Sequence, residues 1–429
     1  MEKLNEDFII NLSNNKGEPL WMKNFRLNSY KKFLELDNPS FGPKINIDFD
    51  NLVYHKGLFA PPSCSWENVD KKVKNTFNDL GVIEAENKYL KGVSNQYESE
   101  VVYHKMEESD GIIFLSTDEG LKKYPELFEK YFNNLVKYDE NKYTALNGAL
   151  WSGGSFIYIP PYTKVDRPLQ SYFRIDTKNL GQFERTIIIV DHDSSLHYIE
   201  GCTAKNYSTT SLHAGVVEIY VGKNSTCKYS TIQNWSKDVY NLVTKRAILE
   251  EGAYMQWVDG NIGSGVTMKY PSCILKGDNS KASSISIAYA KEGQHLDAGA
   301  KMIHLGKNTK STIISKSIAG FGGTSDYRGT VKIAKDATGS FATIKCDNII
   351  LDNISSSNTY PKNIVENNES TLEHEATISK INEEKLNYLM SLGISEDAAK
   401  DLYVLGFMSD FKKSLPMEYA VELNRLIKE

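Results

Sequence analysis

The feature that most constrains the fold of this 429-residue chain is a short turn that recurs at nearly constant spacing. The turn segments are DHDSS near Asp191, GKNST at Gly222, EGAY at Gly252, GDNSK at Gly277, GKNTK at Gly306 and KDATG near Asp336, at intervals of 31, 30, 25, 29 and 30 residues. Runs rich in Ile, Val, Thr and Tyr, such as VVEIYV and TVKIAK, separate the turns and are typical of β-strands. Repeats of this length stack on one another and share a continuous core. The sequence therefore predicts a mainly β fold with a parallel β-helix, or β-solenoid, at residues 141–378.

A β-sandwich is the structural alternative, because it also consists of many short strands. The turns of a sandwich recur about every 8–12 residues and do not repeat one turn sequence. The longer and more regular interval in this chain favours the solenoid.

Helical patterns flank the β region. In the segment WMKNFRLNSYKKFLEL, Trp21, Phe25 and Phe33 fall on one helical stripe, and similar stripes occupy residues 66–80 and 117–132. Further helices are expected to begin near Asn382, Ser395 and Pro416. We therefore predict a mostly helical N-terminal domain at residues 1–140 and a helical C-terminal domain at residues 379–429.

The charge composition and the apolar pattern exclude several classes of partner. Fifty basic and 55 acidic residues give a formal net charge of -5, which provides no basic field for a nucleic acid. No apolar run approaches the length of about 18 residues that a membrane span requires, and the N-terminus lacks the pattern of a signal peptide. A reducing intracellular compartment is the expectation.

The five cysteines are far apart in the sequence and include no C-x-x-C pair. They are Cys64, Cys202, Cys227, Cys273 and Cys346. Disulfide scaffolding and a structural zinc site are therefore disfavoured. Any sulfur chemistry in this chain must use isolated thiols.

Cys346 precedes the segment Glu373, His374, Glu375 by 27 to 29 residues, which is about one repeat. Neighbouring coils could thus bring a thiol, an imidazole and two carboxylates together, and all three groups bind iron. The competing explanation is a buried structural cysteine and a solvated strand end. The residues alone leave both explanations open.

Cys202 lies in YIEGCTA, where a strand runs into glycine and small polar residues. A sulfur acceptor needs a thiolate, and Arg174 or Lys245 could supply the cation that favours it. Gln233 and Trp235 add polar and aromatic groups in the same β region. A role in core packing remains the alternative for Cys202.

Ordered segments along nearly the whole chain resemble the SufB/SufD family of the SUF iron–sulfur cluster assembly system. The segments include WMKNFRLNSYKKFL, ALNGALWSGGSFIYIP, GQFERTIIIV, YIEGCTA, KYSTIQNW, KYPSCILKGD, GAKMIHLGKNTKSTIISK and LEHEATISKI. The resemblance implies a right-handed parallel β-helix between helical ends, and an assembly scaffold rather than an enzyme. Cys202, the QNW segment and the EHEAT segment favour the B-type branch over the D-type structural branch.

The resemblance also implies roles for particular residues. The cysteine of the EGCTA motif, Cys202 here, is expected to accept sulfur as a persulfide. Residues matching the sulfur path through the β-helix are Arg174, Gln233, Trp235 and Lys245. Residues matching the site that holds the nascent iron–sulfur cluster, with iron as their metal, are Cys346, Glu373, His374 and Glu375.

Partners and cofactors follow from the same resemblance. The chain lacks a GxxxxGK[ST] phosphate loop, so ATP hydrolysis is assigned to a SufC ATPase bound through the C-terminal helices. A SufD-like paralogue or a second copy would bind at the end of the β-helix, and a cysteine desulfurase with a sulfur carrier would supply sulfur. The implied cofactors are a transient iron–sulfur cluster and, as a further option, reduced flavin. The implied location is the cytoplasm, or the organelle stroma in a plastid-bearing source.

Two positions depart from the family pattern. Asp176 stands where the family usually has asparagine, and residues 355–363 lack the histidine of an AHTFP segment. Two alternative functions remain at this point: a D-type structural subunit, and an enzyme of another class, either a cysteine hydrolase using Cys346 and His374 or a carbohydrate-acting β-helix protein using carboxylates.

Overall fold

The computed structural model describes residues 3–107, 111–205 and 210–409, so the helix predicted at Pro416 lies outside the described residues. The helices before the solenoid are α1 (Glu6–Lys16), α2 (Leu20–Glu35), α3 (Lys71–Asp79), α4 (Val82–Tyr89), α5 (Thr117–Lys123), α6 (Pro125–Tyr131) and α7 (Lys142–Leu150). The helices after it are α8 (Glu383–Ser391) and α9 (Glu396–Phe407). None of the helices in the described part of the chain has the length and apolar character needed to cross a membrane.

Local chemistry sets the ends of the N-terminal helices. The Asn5 side chain accepts a hydrogen bond from the Phe8 N–H at 2.8 Å and caps α1. The stripe at 117–132 forms two helices, because Pro125 has no N–H and restricts the residue before it. The stripe at 66–80 yields a short 3-10 helix, Trp66–Asn68, and α3 begins only after Asp70, whose carboxylate caps it.

The strands fall into two large sheets. In chain order they are β1 (Gly92–Tyr97), β2 (Glu100–Met106), β3 (Ile113–Ser116), β4 (Ser155–Ile159), β5 (Leu169–Ile175), β6 (Gly181–Gln182), β7 (Arg185–Val190), β8 (Ser195–Ala204), β9 (Ser211–His213), β10 (Val216–Val221), β11 (Thr226–Asn234), β12 (Val239–Leu249), β13 (Tyr254–Asn261), β14 (Val266–Lys269), β15 (Ser272–Leu275), β16 (Lys281–Ala290), β17 (His295–His304), β18 (Lys310–Ala319), β19 (Thr324–Ile333), β20 (Phe341–Ile350), β21 (Ser356–Val365) and β22 (Thr371–Lys380).

Each coil of the chain contributes a strand to each sheet, and the strands from successive coils pair in parallel. The first sheet runs β2-β1-β5-β8-β11-β13-β16-β18-β20-β22, and the second runs β21-β19-β17-β14-β12-β10-β7-β4-β3. The result is a solenoid of about 8 turns with 24% helix, which confirms the predicted β-solenoid with helices at both ends. β1, β2 and β3 lie within residues 1–140 and extend the sheets at their first end.

The recurring turns of the sequence join the two sheets. Asp193, Asn224, Asn279 and Asn308 adopt left-handed backbone conformations there, which aspartate and asparagine tolerate better than most residues. The backbone N–H of Asn224 donates to the Glu251 carbonyl at 2.9 Å, and the N–H of Asn308 donates to the Thr338 carbonyl at 2.9 Å. Each turn therefore bonds to the turn of the next coil, which fixes the stacking.

The C-terminal helix packs on the outer face of the first sheet. Val404 and Met408 share a buried cluster with Ile287 and Ile318. The Lys316 ammonium group donates to the carbonyl of Phe407 at 2.7 Å, at the C-terminal end of α9. α9 thus covers the outer face of β16 and β18.

A fully buried ion pair joins the solenoid to the helical region before it. The Arg185 Nη2 lies 2.7 Å from Glu218 Oε2, and neither side chain is exposed to solvent. The Glu218 carboxylate also accepts the backbone N–H groups of Asn133, Leu135 and Val136 at 2.8–3.0 Å. The Glu218 carboxylate on β10 therefore binds both Arg185 on β7 and the segment between α6 and α7.

We predict that Glu218→Gln lowers the free energy of unfolding by about 3–5 kcal/mol, because it leaves Arg185 buried and unpaired. Urea unfolding followed by circular dichroism measures the change. The control is Glu251→Gln, which breaks the half-exposed pair between Lys223 and Glu251 and should cost no more than about 1 kcal/mol. Equal losses in the two variants would contradict this account.

Candidate functional site

Cys202 and Cys346 lie on the inward face of the same sheet. A row of register partners runs along this face from Glu200, two residues before Cys202 on β8, to Cys346 on β20. This row, which we call the inner ladder, consists of Glu200, Thr231, Asp259, Ser286, Ser315 and Cys346. Five strand-to-strand steps of about 4.8 Å separate its ends by roughly 24 Å.

The inner ladder is polar at every step and is buried throughout. A parallel row begins at Cys202 itself and continues through Gln233, Asn261, Ala288, Ser317 and Asn348. Interiors of proteins seldom contain such rows without a reason, because an unpaired buried polar group costs stability. Within the described residues, the hydroxyl groups of Ser315 and Ser317 have no hydrogen-bond partner. The interior of the solenoid therefore offers a continuous polar surface between the two thiols.

Glu200 organises the surroundings of Cys202. Its Oε1 accepts hydrogen bonds from Lys245 Nζ at 3.0 Å, from the Thr231 hydroxyl at 3.2 Å and from the Cys202 thiol at 3.7 Å. Its Oε2 accepts the hydroxyl of Tyr229. Burial alone would raise the pKa of Glu200, but Lys245 and these hydrogen bonds lower it to about 2. Glu200 is therefore an ionised carboxylate inside the solenoid.

The same environment keeps Cys202 protonated. Its side chain is 1% exposed, and burial, followed by the negative charge of Glu200, raises the pKa of the thiol well above its ordinary value. Trp235 shares a buried cluster with Cys202, and Gln233 is its register partner on β11. Three of the residues predicted from the sequence, Gln233, Trp235 and Lys245, thus surround Cys202.

A second buried ion pair lies one coil further along. The Lys269 ammonium group is 2.8 Å from Asp259 and donates to Gln233 Oε1 at 3.2 Å. The Asn241 side-chain amide also donates to Gln233 Oε1, at 2.7 Å. These contacts connect the neighbourhood of Cys202 to the inner ladder at Asp259.

His213 and Glu184 also lie together in the interior near Cys202. His213 Nε2 lies 3.6 Å from Glu184 Oε1, and its ring packs on Trp235 with centroids 4.7 Å apart. Burial raises the pKa of Glu184. This pair adds two further titratable groups to the buried surroundings of Cys202.

Arg174 occupies a different position from the other predicted path residues. It pairs in register with Thr203, one residue beyond the pair Phe173 and Cys202, so its side chain lies on the opposite face of the sheet from the thiol. Its guanidinium group binds the Asp176 carboxylate at 2.7 Å and the Thr203 hydroxyl at 3.1 Å. Asp176, which replaces the usual asparagine of the family, thus forms an ion pair with Arg174. An uncharged asparagine would bind the guanidinium group less strongly.

Cys346 lies in the interior near the last coil. Burial, followed by the charge of Asp347, raises the pKa of its thiol to about 12. Its register partner on β22 is Ala376, and His374 lies two positions away on the same face. His374 Nδ1 lies 3.1 Å from the Asn363 amide, and its Nε2 makes no hydrogen bond within the described ranges. Burial lowers the pKa of His374, which keeps the imidazole neutral at pH 7 and available to a metal.

The two glutamates flanking His374 face the other way. Glu373 pairs with Thr343, and Glu375 pairs with Lys345, whose ammonium group is 3.6 Å from the Glu375 carboxylate. Both carboxylates are therefore on the outer face, and the chain brings only Cys346 and His374 to one side. Within residues 3–107, 111–205 and 210–409, no three His, Cys, Asp or Glu side chains cluster closely enough to hold a metal ion.

Within the described residues, the last coil ends the solenoid with an open edge. β21 and β22 are the terminal strands of their sheets, and most of their residues are exposed. Open edges of this kind present main-chain donors and acceptors to another strand. Cys346 is one strand away from this edge.

Sequence reasoning missed Glu200, Tyr229, Asp259 and Lys269. A signal for three of them was available, because YIEGC, KYSTIQN and WVDGN each place polar residues at alternate positions of a strand that the repeat makes interior. Lys269 carried no such signal, since its strand is short and its partner lies across the solenoid.

By its fold and its interior, the chain is a β-solenoid protein in which rows of buried polar residues connect the surroundings of two buried thiols. Two family models match this chain, the SUF system FeS cluster assembly SufBD core domain at residues 173–407 and the SufBD protein N-terminal region at residues 68–171. The chain therefore belongs to the SufB/SufBD family of iron–sulfur cluster assembly proteins.

Similar curated proteins cover almost the whole chain. The iron-sulfur cluster assembly protein SufB of Bacillus subtilis is 53% identical over 429 residues, which is 99% of this chain and 92% of the relative. Iron-sulfur cluster assembly SufBD family proteins of Staphylococcus saprophyticus and Staphylococcus aureus are each 54% identical with the same coverage. These findings confirm the resemblance that the sequence motifs indicated.

We predict that a neutral alkylating reagent at pH 7.5 modifies the exposed Cys64 at least about 100-fold faster than the four buried cysteines. The buried thiols must wait for local opening, and raised pKa values reduce their thiolate fraction. Peptide mass spectrometry of the native chain measures each rate. In denaturant all five rates should converge, and native labelling of Cys202 or Cys346 as fast as that of Cys64 would contradict the burial described above.

Proposed function

We propose that this chain is an iron–sulfur cluster assembly scaffold that accepts sulfur as a persulfide on Cys202 and assembles a cluster at Cys346. The observation that carries the proposal is the inner ladder, which joins the neighbourhoods of both thiols along one face of one sheet. Membership of the SufB/SufBD family supplies the reaction class.

The proposed sulfur path uses the interior. Gln233, Trp235 and Lys245 lie around Cys202 and are buried, which suits groups that guide a small sulfur species away from water. Arg174 lies on the outer face beside the end of β8, so we assign it to the entrance of the path rather than to its interior. The pair between Arg174 and Asp176 would close that entrance at rest.

The proposed cluster site is incomplete within one chain. Cys346 and His374 lie on the inner face of the last coils, whereas Glu373 and Glu375 lie on the outer face. A further subunit at the open edge of β21 and β22 would add ligands and cover the cluster. A SufD-like paralogue or a second copy of this chain fits this position, and the cluster is cargo that later leaves. Reduced flavin remains an expectation from the resemblance alone.

We assign energy supply and sulfur supply to partners. A SufC ATPase bound to the C-terminal helices could act on the last coils, because α9 contacts β18 through the bond from Lys316 to Phe407. A cysteine desulfurase with a sulfur carrier would load Cys202. The chain itself would not be an enzyme, and the bacterial relatives favour the cytoplasm as its location.

The alternative functions have less support. A hydrolase that used Cys346 and His374 would need the imidazole to accept the thiol proton, whereas within the described residues His374 Nδ1 contacts Asn363 and its Nε2 makes no hydrogen bond. A purely structural D-type subunit would not need the charged groups around Cys202. The scaffold accounts for both observations.

We predict different losses in two variants during anaerobic cluster reconstitution of this chain with its co-purifying partners. With a persulfide donor, Cys202→Ser and Cys346→Ser should each lose at least about 90% of the cluster absorbance. With free sulfide in place of the donor, Cys202→Ser should recover and Cys346→Ser should not, because sulfide bypasses the entry thiol but not the assembly site.

The matched control is Cys273→Ser, which removes a buried thiol that lies outside the inner ladder. It should retain cluster formation under both conditions. Unchanged cluster absorbance in both Cys202→Ser and Cys346→Ser would refute the proposed function.

A further inference from the structure

One carboxylate oxygen, Glu200 Oε1, binds both the Cys202 thiol and the buried ammonium group of Lys245. The Cys202 thiol donates to Glu200 Oε1 at 3.7 Å, and Lys245 Nζ donates to the same oxygen at 3.0 Å. A cysteine that is to react needs a cation beside its sulfur, since only the thiolate is nucleophilic. In this arrangement the Lys245 ammonium group is bound to Glu200 instead.

The remaining contacts hold this arrangement in place. Tyr229 and Thr231 donate to the Glu200 carboxylate, and the Lys245 ammonium group lies 4.4 Å over the Tyr229 ring. Glu200 and Lys245 are both fully buried, so their attraction is not weakened by solvent. The geometry therefore favours a neutral thiol beside an ion pair over a thiolate beside an ammonium group.

Other charged and titratable groups also face this site from the surrounding strands. They are Glu184, Tyr198, His213, Tyr229, Asp259 and Lys269. Asp259 binds Lys269 at 2.8 Å, and Glu184 is paired with His213. Lys245 is thus the cation whose release would affect Cys202 most.

We propose that Glu200 keeps Lys245 away from the Cys202 sulfur, so that the resting chain stores Cys202 as an unreactive thiol until Lys245 moves from the carboxylate to the sulfur. This inference rests on the proposed role of Cys202 as sulfur acceptor. The movement is short, because the thiol and the ammonium group already share one oxygen atom. In this scheme Glu200 has two roles: it positions Lys245, and it accepts the proton of the Cys202 thiol, which already donates to it.

The sulfur transfer that follows is balanced without an added oxidant or reductant. When Lys245 leaves Glu200, the carboxylate becomes a stronger base and takes the proton of the Cys202 thiol. The thiolate attacks the outer sulfur of the donor's persulfide, the donor's sulfur–sulfur bond breaks, and a new sulfur–sulfur bond forms on Cys202. The donor leaves as a thiolate, and Lys245 neutralises the persulfide that remains on Cys202.

The test is the pH dependence of Cys202 alkylation by iodoacetamide in the complete chain, followed by peptide mass spectrometry. Glu200→Gln keeps the shape of the side chain but releases Lys245 to the sulfur. We expect the midpoint of the profile to fall by at least one pH unit, which makes alkylation at pH 7.5 roughly tenfold faster. Val239→Ala loosens the buried cluster that contains Cys202 without changing a charge and is the matched control, with an unchanged midpoint.

Two further variants separate electrostatics from loosened packing. Lys245→Met should slow Cys202 alkylation at every pH, and this direction tests the proposal even where Glu200→Gln fails to fold. The double variant with both substitutions should not show the faster alkylation of Glu200→Gln, because that faster alkylation requires Lys245.

Faster alkylation in Lys245→Met, or a double variant as fast as Glu200→Gln, would show that packing alone protects Cys202 and would overturn the inference. An unshifted midpoint in folded Glu200→Gln would also overturn it. Cluster reconstitution tests the role of Cys202 separately, so a failure here is distinguishable from a failure of the proposed function.

Discussion

Parallel pairing between successive coils is the constraint on which the rest of the structure depends. Every strand in the solenoid pairs with the equivalent strand of the next coil, so residues at equivalent positions form rows along the axis. A row is apolar where the sequence repeats apolar residues and polar where it repeats polar ones. The inner ladder from Glu200 to Cys346 is a direct product of this register, because a one-residue slip would turn it to the outer face.

The charged interior has an energetic cost that the fold offsets by pairing. Lys245 and Lys269 are fully buried, and each contacts a buried carboxylate. Removing either member of such a pair leaves an uncompensated charge, which is far more costly than losing a surface pair. An apolar interior would be simpler to stabilise, so the presence of these pairs beside Cys202 favours a chemical role over a structural one. The buried pair of Arg185 and Glu218, in contrast, joins two parts of the fold.

Much of the fold was predictable from the sequence, and the site was predictable in part. The turn interval indicated a solenoid, and Cys202, Gln233, Trp235 and Lys245 were found as candidates and lie together. Glu200 and Asp259 were missed because their importance depends on facing the interior. Arg174 was expected with the interior residues but lies on the other face, since adjacent strand residues alternate. The same alternation separates His374 from Glu373 and Glu375.

The sequence by itself determined the repeat, the class of fold and the family, because turn residues and apolar alternation act locally and recur along the chain. Only the tertiary structure decided which polar residues meet. Lys245 reaches Glu200 across the solenoid from a different sheet, and Lys269 reaches Asp259 in the same way. Such contacts depend on the register of many strands and on the distance between two sheets, and no short segment of sequence encodes either. The protonation of Cys202 is therefore a property of the assembled solenoid.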